Sequence, residues 1–326
     1  MKLQDLGERE IISRIRKDFS ESPRDVIIGI GDDAAVIKHG KKNFIITKDL
    51  LFEDTHFITA FHPPYFLGRK SLNVNLSDVA AMGGVPKYAL VGLGLPLGME
   101  SDWLKKYFSG FKAAAKEAGV SLIGGDVSGS KKISISVTVI GEGKKIIQRE
   151  GAQEGHFLFV SGSLGDARQG LILLKKGYRL GDDGKADPFI KAFLDPIPQI
   201  ALGKDLSRLH LASAMIDVSD GLSTDLYNLC QESGGGAEIF LGKLPLSPGI
   251  RHIQRQPYRL ALHGGEDYQL LFTVPPQNQK SLLRLQKKYK ITLIGKIIKK
   301  KEIFLISRQG KRNPLKIKGY QHFMKS

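Results

Sequence analysis

The chain has 326 residues, 41% of them hydrophobic and 25% charged, with a net charge of +16; this composition is typical of a folded globular protein with about two domains. A single cysteine, Cys230, excludes internal disulfides and metal sites built from several cysteines. The most apolar stretch, residues 79–99, is interrupted by Pro86, Lys87 and Pro96, and the N-terminus lacks the apolar run of a secretory signal, so we expect a soluble, cytoplasmic protein without a membrane partner.

The basic residues are concentrated at the C-terminal end. Residues 284–326 contain 14 Lys or Arg and one acidic residue, Glu302, so this segment carries +13 of the net charge. Such a segment could attract nucleic acid or phosphorylated metabolites, or it could form a solvated lysine-rich face. Because no RNA-binding signature and no interleaved aromatic residues accompany the lysines, we favour the solvated face and do not expect a nucleic-acid partner.

The first half of the chain alternates between predicted helices and strands. The clearest element is a helix over residues 101–118, with an apolar stripe, Ser101 as its predicted cap and Gly119 at its end. Runs of branched residues bounded by Gly or Asp predict the strands. In chain order the predicted elements are a helix (7–19), strands (26–31 and 43–48), helices (64–82 and 101–118) and strands (120–125 and 132–141).

A second unit begins after the polar, glycine-containing stretch at residues 151–155. We therefore place a domain boundary near residue 150, which gives domains at 1–150 and 151–326. The second unit is predicted to contain a strand (156–161), a helix (164–176), further helices to about residue 209, a strand (213–217), a helix (221–232), strands (237–241 and 268–274), a helix (276–289) and strands (291–298 and 302–307).

Short acidic turns, each flanked by small residues, recur along both units. Each lies at a predicted strand or helix end, where carboxylates can point into one crevice. A neighbouring glycine lets the backbone approach a ligand closely, because no Cβ intervenes. Taken singly, such a turn is more often a helix cap, as Asp220 would be for the helix that follows it. The turns are GIGDDAAV (29–36), TKDLL (47–51), NLSDVAAMGG (75–84), IGGDVSG (123–129), IDVSDGLSTDL (216–226) and HGGEDYQLLF (263–272).

The number of these turns in one chain favours a shared metal site. Two carboxylates about 4 Å apart repel each other by about 4 kcal/mol at an effective dielectric constant of about 20, so converging carboxylates need cations. Oxygen ligands without a cysteine or histidine cluster favour Mg²⁺ or a similar hard ion, the usual partner of a nucleotide triphosphate. The candidate ligands are Asp33, Asp49, Asp78, Asp126, Asp217 and Asp220.

Taken in order, and with the terminal GYQHF (319–323), these motifs resemble those of the thiamine-monophosphate kinase family, in the aminoimidazole-ribonucleotide-synthetase-like superfamily of ATP-dependent enzymes. The resemblance covers nearly the whole chain. It implies direct in-line transfer of the γ-phosphoryl group of ATP to thiamine monophosphate, assisted by several Mg²⁺ ions on the aspartates. It also implies a two-domain α/β fold of the α+β type, in which an N-terminal mixed sheet and its helices form a homodimer and a C-terminal α/β domain completes the active-site cleft.

The resemblance also implies a role for individual residues. Thr47 joins the six aspartates as a metal-adjacent hydroxyl. Because the acceptor would be a phosphate monoester that is already anionic at neutral pH, we expect no general base and no covalent nucleophile. The implied nucleotide contacts are Gly125, Asp126, Arg149 and Ser219, and the implied thiamine monophosphate contacts are His56, Glu266 and Tyr320.

Three positions depart from the family pattern. Lys48 stands where a second hydroxyl is usual, which puts one metal position in question, and Val127 replaces a usual threonine after Gly-Gly-Asp. Gln269 replaces a common glutamate, which we expect to matter little.

Other functions within and outside the superfamily fit the sequence less well. Selenophosphate synthetase is disfavoured because Cys230 is the only thiol and lies far from the N-terminus. Aminoimidazole ribonucleotide synthetase would use similar aspartates, but GGEDYQLLF and the GYQHF end fit it poorly. From a different class, the basic segment could belong to a nucleic-acid-binding module on a degenerate fold; the acidic turns argue against it, since an anion-binding face would gain nothing from them.

Overall fold

Two mixed β-sheets, one in each half of the chain, organise the computed structural model, which describes the backbone of residues 3–320 and the side chains from residue 7 onward. The last three residues of the GYQHF motif therefore lie outside the described residues. None of the helices in the described part of the chain combines the length and the apolar content that a bilayer crossing requires.

The first sheet has six strands in the order β1-β2-β3-β6-β4-β5. Its neighbours are antiparallel except for β4 and β5, which run parallel. The strands are β1 (Val26–Ile28), β2 (Ala35–His39), β3 (Lys42–Phe52), β4 (Val85–Leu95), β5 (Ser121–Gly129) and β6 (Ser134–Gly143), and the helices of this half are α1 (Leu3–Asp18), α2 (Pro64–Ala81) and α3 (Ser101–Ala118).

The second sheet has seven strands in the order β13-β12-β9-β11-β7-β10-β8. Its strands are β7 (Phe157–Ser161), β8 (Ala214–Asp217), β9 (Gly236–Phe240), β10 (Leu270–Val274), β11 (Ile291–Ile298), β12 (Ile303–Ile306) and β13 (Arg312–Pro314). The helices are α4 (Asp166–Lys175), α5 (Asp187–Leu194), α6 (Ile200–Arg208), α7 (Leu222–Glu232), α8 (Pro248–Ile253), α9 (Pro257–His263) and α10 (Gln279–Gln286).

Helix α2 is the element that joins the two halves. It packs on β3, β4, β6 and α3 on one side and on α5, α6 and β8 on the other, so 13 of its 18 residues are buried. Such all-round burial explains why the helix shows no strong apolar stripe in the sequence. Its backbone comes very close to α3, because a Cβ built on Gly68 would lie 2.0 Å from the Tyr107 carbonyl oxygen. Polar groups on the side of α2 that faces α5, α6 and β8 are therefore placed between the domains.

The second sheet is covered on both faces. Along β7, Leu158 and Val160 join the core beneath α7 and α9, whereas Phe159 joins the core that contains residues of α6 and α10. The Phe159 ring stacks on Phe272 of the neighbouring strand, with 5.8 Å between ring centroids. A strand buried on both faces reads as a continuous apolar run, as FLFVS does here.

The outer face of the first sheet, opposite α2, is exposed in the single chain. On β3 the side chains of Ile45, Thr47 and Leu51 point inward and are buried. Those of Leu50 and Phe52, which point to the opposite face, are exposed. Edge strand β5 is exposed along its whole length. The first domain thus presents apolar surface on one side of its sheet and at one edge.

Most predicted elements are present, but several boundaries were wrong. Strand β1 stops at Ile28, where its pairing with β2 ends. Strands β3 and β5 are longer than predicted, because each is held along its length by a neighbouring strand. The predicted helix at 276–289 begins with a 3₁₀ turn at Pro276–Asn278 and is α-helical over Gln279–Gln286.

The predicted cap of α3 was wrong, and so was the alternative role of Asp220 as the cap of α7. Ser101 is the first residue of α3 rather than its cap, and Glu100 precedes it without a capping side-chain hydrogen bond. At α7 the cap position is Gly221, and its backbone N–H donates a hydrogen bond of 3.0 Å to the carboxylate of Asp225. Asp220 is therefore not engaged as the cap of α7.

Candidate active site

Three aspartates from distant parts of the chain meet between the two sheets. One carboxylate oxygen from each of Asp33, Asp78 and Asp217 lies within 4.8 Å of those of the other two. Asp33 follows β1, Asp78 lies near the end of α2, and Asp217 is the last residue of β8. The first domain supplies two of these groups and the second domain supplies the third.

Neighbouring side chains orient the three carboxylates. The Thr47 hydroxyl donates to Asp78 Oδ2 at 2.5 Å, and the Ser77 hydroxyl donates to Asp217 Oδ2 at 2.6 Å. The second oxygen of Asp33, Oδ2, is buried and has no hydrogen-bond partner among the described residues. A buried carboxylate oxygen without a donor is costly unless a cation binds it. An oxygen-only set with an orphaned oxygen fits Mg²⁺.

Arg149 and Asp32 hold the loop that carries Asp33. The Arg149 Nη2 atom is 2.5 Å from Asp33 Oδ1. Asp32 accepts hydrogen bonds from the backbone N–H groups of Asp33, at 2.9 Å, and of Arg149, at 3.2 Å. The loop after β1 is thus tied to the segment where the second domain begins. Arg149 is the one sequence-predicted nucleotide contact that touches the aspartate cluster directly.

Burial raises the pKa of all three clustered carboxyl groups. The pKa of Asp217 is raised to about 8, by burial first and then by the charge of Asp33. The pKa of Asp78 is raised well above its usual range by burial and by neighbouring aspartates. At Asp33 burial outweighs the Arg149 guanidinium, which alone would lower the pKa. Asp217 therefore holds a proton near neutral pH, which a bound cation would displace.

Asp49 and Asp220 flank the cluster. Burial and then the charge of Glu266 raise the pKa of Asp49 to about 6, and Asp49 in turn raises that of Asp78. Burial and then the charge of Glu8 raise the pKa of Asp220 to about 7. These two carboxylates are therefore within electrostatic reach of the site, although neither belongs to the group of three.

Glu266 reaches the site from a strained turn. It has a φ of 66°, which is uncommon for a residue with a side chain, and its backbone N–H donates to the Ser219 carbonyl at 2.7 Å. Its carboxylate forms an ion pair with Lys70 of α2. The next residue, Asp267, points away to α4, where it accepts a hydrogen bond of 2.8 Å from the Gly165 N–H.

Tyr320, a predicted thiamine monophosphate contact, lies beside the loop that carries Asp220. The Tyr320 N–H donates to the Asp220 carbonyl at 3.1 Å, and burial, followed by the charges of Glu8, Asp220 and Glu266, raises the pKa of its phenol. A Cβ on the preceding Gly319 would lie 2.0 Å from the Thr224 hydroxyl, so the glycine permits this close approach. The C-terminal segment thus packs against the loop of Asp220 and the start of α7.

The remaining sequence-predicted residues belong to other elements of the first domain. His56 follows β3, and its Nδ1 accepts a hydrogen bond of 3.0 Å from the Phe52 N–H. Gly125 and Asp126 lie on the exposed strand β5, and Asp126 is not part of the three-aspartate group. A Cβ on Gly125 would lie 1.9 Å from the Val91 carbonyl, so the parallel pairing with β4 requires glycine there. The roles of these residues stay predictions.

The three departures from the family pattern lie outside the group of three. Lys48 is exposed on the outer face of β3, since Thr47 and Asp49 on either side point inward, and it forms no ion pair with any described residue. Val127 is 64% exposed on β5. Gln269 is hydrogen-bonded to the Ser161 hydroxyl and to the Asp267 carbonyl, so it serves the packing of β10 on β7.

The sequence motifs contained two site residues that were not singled out. Ser77 and Asp32 stand next to predicted aspartates in NLSD and GIGDD, and adjacency to a candidate ligand was the available signal. Lys70 had no such signal, because a lysine in a predicted helix is usually solvated. It is instead 1% exposed.

Known proteins are similar to this chain over nearly its whole length. Two family models match the chain, the AIR synthase related protein N-terminal domain over residues 31–142 and the corresponding C-terminal domain over residues 153–308. Two curated relatives are named thiamine-monophosphate kinase. The protein from Aquifex aeolicus is 37% identical, over 99% of this chain and all of its own, and the one from Escherichia coli K12 is 35% identical, over 97% of this chain and 98% of its own.

A solved structure described as "AaThiL complexed with AMPPCP and TMP" has the same fold. It superposes with a TM-score of 0.88 at 36% sequence identity and covers 99% of each chain. The two-domain α/β architecture is therefore the one expected from the sequence. Near-complete coverage at this level of identity, together with the matched domains and the clustered aspartates, places the chain in the thiamine-monophosphate kinase family.

Proposed function

We propose that this protein transfers the γ-phosphoryl group of ATP to thiamine monophosphate, giving ADP and thiamine diphosphate. The observation that carries the proposal is the meeting of Asp33, Asp78 and Asp217 from both domains, within 4.8 Å, in a chain whose relatives bear that enzyme's name. A two-domain cation site suits a reaction that joins two anionic substrates. Since ATP is a cytoplasmic substrate, we expect the protein to act in the cytoplasm.

The three aspartates would hold Mg²⁺, and Thr47, Asp49, Asp126 and Asp220 are the further members of the proposed metal set. The positive charge of bound Mg²⁺ lowers the repulsion between the acceptor phosphate and the γ-phosphoryl group. The chain's own part is to keep the carboxylates in place, which Ser77 and Thr47 do by hydrogen bonds to Asp217 and Asp78.

We assign the nucleotide to Gly125, Asp126, Arg149 and Ser219. Arg149 has the strongest support, because its guanidinium lies against Asp33 while 22% of its side chain is exposed. A cation in that position neutralises phosphate charge beside the metal site. Ser219 follows Asp217 and Val218 at the end of β8, so its segment borders the cluster.

We assign thiamine monophosphate to His56, Glu266 and Tyr320. Glu266 lies within electrostatic reach of both Asp49 and Tyr320, since its charge contributes to the raised pKa of each. A carboxylate and an aromatic ring suit the cationic thiazolium ring of this substrate. Its phosphate has a second pKa of about 6 and is ionised at neutral pH, so attack on ATP needs neither a general base nor a covalent enzyme intermediate.

We further propose that the protein is a homodimer formed through its first domain, with a domain boundary near residue 150. The support is the exposed apolar surface of the first sheet, where Leu122, Ile123 and Val127 on β5 are 43%, 56% and 64% exposed. An unpaired, apolar edge strand tends to pair with another chain. A second copy of this chain, meeting the same surface by two-fold symmetry, would cover it.

A coupled ADP-release assay with Mg·ATP tests the proposed function. Thiamine monophosphate should support turnover, whereas free thiamine and aminoimidazole precursors should not. Appearance of thiamine diphosphate should match ADP release one to one, and incubation with labelled ATP alone should leave no phosphoenzyme. Turnover with an aminoimidazole precursor, or salt-sensitive RNA binding without ATP turnover, would refute the proposal.

A further inference from the structure

Lys70 is a buried cation at the junction of the two domains. Its side chain is 1% exposed on α2, although lysine is among the residue types least often buried. Its Nζ atom donates a hydrogen bond of 3.0 Å to the carbonyl oxygen of Phe193 in α5 and lies 3.8 Å from the centre of the Phe193 ring. A buried ammonium group requires a counter-charge, which the aromatic ring and the carbonyl supply only in part.

The counter-charge is Glu266. Of the described carboxylates, Glu266 is the one that pairs with Lys70, so α2 of the first domain is linked to the turn after α9 in the second. The pair is asymmetric, because the Glu266 side chain is 30% exposed whereas Lys70 is enclosed. Lys70 is therefore fixed in position, and Glu266 is the partner that could turn away.

Two features of Glu266 make an anchor necessary. Its left-handed backbone conformation, with a φ of 66°, is unfavourable for a residue with a Cβ and is held by the hydrogen bond to Ser219. Its carboxylate also lies in the field of other acids, since it acts on the pKa values of Asp49 and Asp220. Without a cation beside it, repulsion from these groups would favour rotation of the carboxylate toward solvent.

We propose that Lys70 is a positioning residue that holds the Glu266 carboxylate at the acceptor side of the cleft and thereby sets the affinity for the cationic ring of the acceptor. The inference rests on the proposed function, in which Glu266 faces thiamine monophosphate. Lys70 itself does not touch the substrate. Because Lys70 belongs to α2, which also carries Asp78, the acceptor site and the metal site are built on one rigid helix.

The test compares Lys70→Met, which keeps the length of the side chain without its charge, with wild type. We expect Lys70→Met to raise KM for thiamine monophosphate at least tenfold, with KM for Mg·ATP unchanged within twofold. Arg69→Met is the matched control, because Arg69 also crosses to the second domain, through an ion pair of 2.9 Å with Asp195, but does not contact Glu266. The control should leave both KM values within twofold of wild type.

A double-mutant cycle decides whether Lys70 acts through Glu266. If it does, Glu266→Gln should raise KM for thiamine monophosphate as Lys70→Met does, and the double variant should be no worse than the weaker-binding single variant. Multiplicative effects of the two changes would overturn the inference, as they would indicate a direct contact between Lys70 and the substrate. Equal increases in both KM values, or the same effect from Arg69→Met, would also overturn it.

Lys70→Arg is the second variant, for use if Lys70→Met does not fold. Arginine retains the positive charge in a larger, planar group, which displaces the Glu266 carboxylate. This variant should raise KM for thiamine monophosphate at least threefold and leave KM for Mg·ATP unchanged. An unchanged KM in Lys70→Arg would then overturn the inference. A crystal structure of either variant, without substrate, tests the position of Glu266 directly. A Glu266 carboxylate that stays in place refutes positioning by Lys70. Failure of the wild-type protein to phosphorylate thiamine monophosphate refutes the proposed function alone.

Discussion

Asp217 should make the metal-free protein lose stability as the pH rises from 6 to 8. Its pKa is raised to about 8 in the folded chain, mainly by burial, from an ordinary value of 3.8. A carboxyl group whose pKa is higher in the folded state stabilises the fold below its unfolded value and loses that contribution as the pH rises through the folded value. The protonated form is the one that the buried site accepts, and the ionised form is the one that Mg²⁺ binds.

The magnitude follows from the two protonation states. With a pKa of about 8, Asp217 is about 99% protonated in the folded protein at pH 6 and about half protonated at pH 8, whereas it is ionised in the unfolded chain at both. The difference corresponds to a loss of about 2 kcal/mol from this single group. A loss of that size lowers the melting temperature by several degrees.

The variant that tests this pH dependence is Asp217→Asn, in which the side-chain amide oxygen can still accept the hydrogen bond from Ser77. Unfolding is followed by denaturant titration in a chelator at pH 6, 7 and 8. The free energy of unfolding of the variant, relative to wild type, should rise by about 2 kcal/mol from pH 6 to pH 8. Mg²⁺ should stabilise wild type most at pH 8 and should stabilise the variant much less, since one ligand has lost its charge.

Asp102→Asn is the matched control, because Asp102 is a fully exposed aspartate whose pKa is lowered by Lys106. It should leave the pH dependence of stability unchanged. A difference between Asp217→Asn and wild type that stays constant across the pH range, or that favours wild type at pH 8, would refute the argument from burial. Equal stabilisation of the variant and of wild type by Mg²⁺ would refute the assignment of Asp217 as a ligand.

Three further predictions concern the nucleotide, the domain core and the dimer. Arg149→Met should raise KM for Mg·ATP at least tenfold and KM for thiamine monophosphate by less, because a charge-assisted contact is worth about 1.5–3 kcal/mol. Steady-state kinetics with either substrate varied measure both values, and an equal rise in the two would contradict the prediction. Gly68→Ala should lower the free energy of unfolding by about 3 kcal/mol despite the better helix propensity of alanine, because the added Cβ would lie 2.0 Å from the Tyr107 carbonyl oxygen. A denaturant titration that shows no loss of stability would contradict this prediction. Ile123→Asp should convert a dimer to a monomer in sedimentation velocity, since this side chain is 56% exposed in the single chain, and an unchanged sedimentation coefficient would exclude an interface at β5.

The fold was largely predictable where local pattern and tertiary environment agree. Helix α3 lies at Ser101–Ala118, where its apolar stripe and the following glycine placed it. The sequence predicts that strand β5 ends at Gly124 and Gly125, but β5 runs through both glycines. It continues because its parallel neighbour β4 supplies hydrogen bonds along its whole length. Local signals fail at such points because pairing energy comes from residues that are distant in the chain.

The chemical class of the site was predictable from the amino-acid sequence, since glycine-flanked aspartates in a fixed order indicate oxygen ligands for a hard cation and are typical of the family. Which of the acids meet depends on the fold, because Asp33, Asp78 and Asp217 come from three separate segments that β1, α2 and β8 bring together. The fold also buries Lys70, which the sequence did not single out, and pairs it with Glu266. The physical reason is that burial and the charges of distant neighbours set the energy of an ionisable group, and neither is encoded within its own segment.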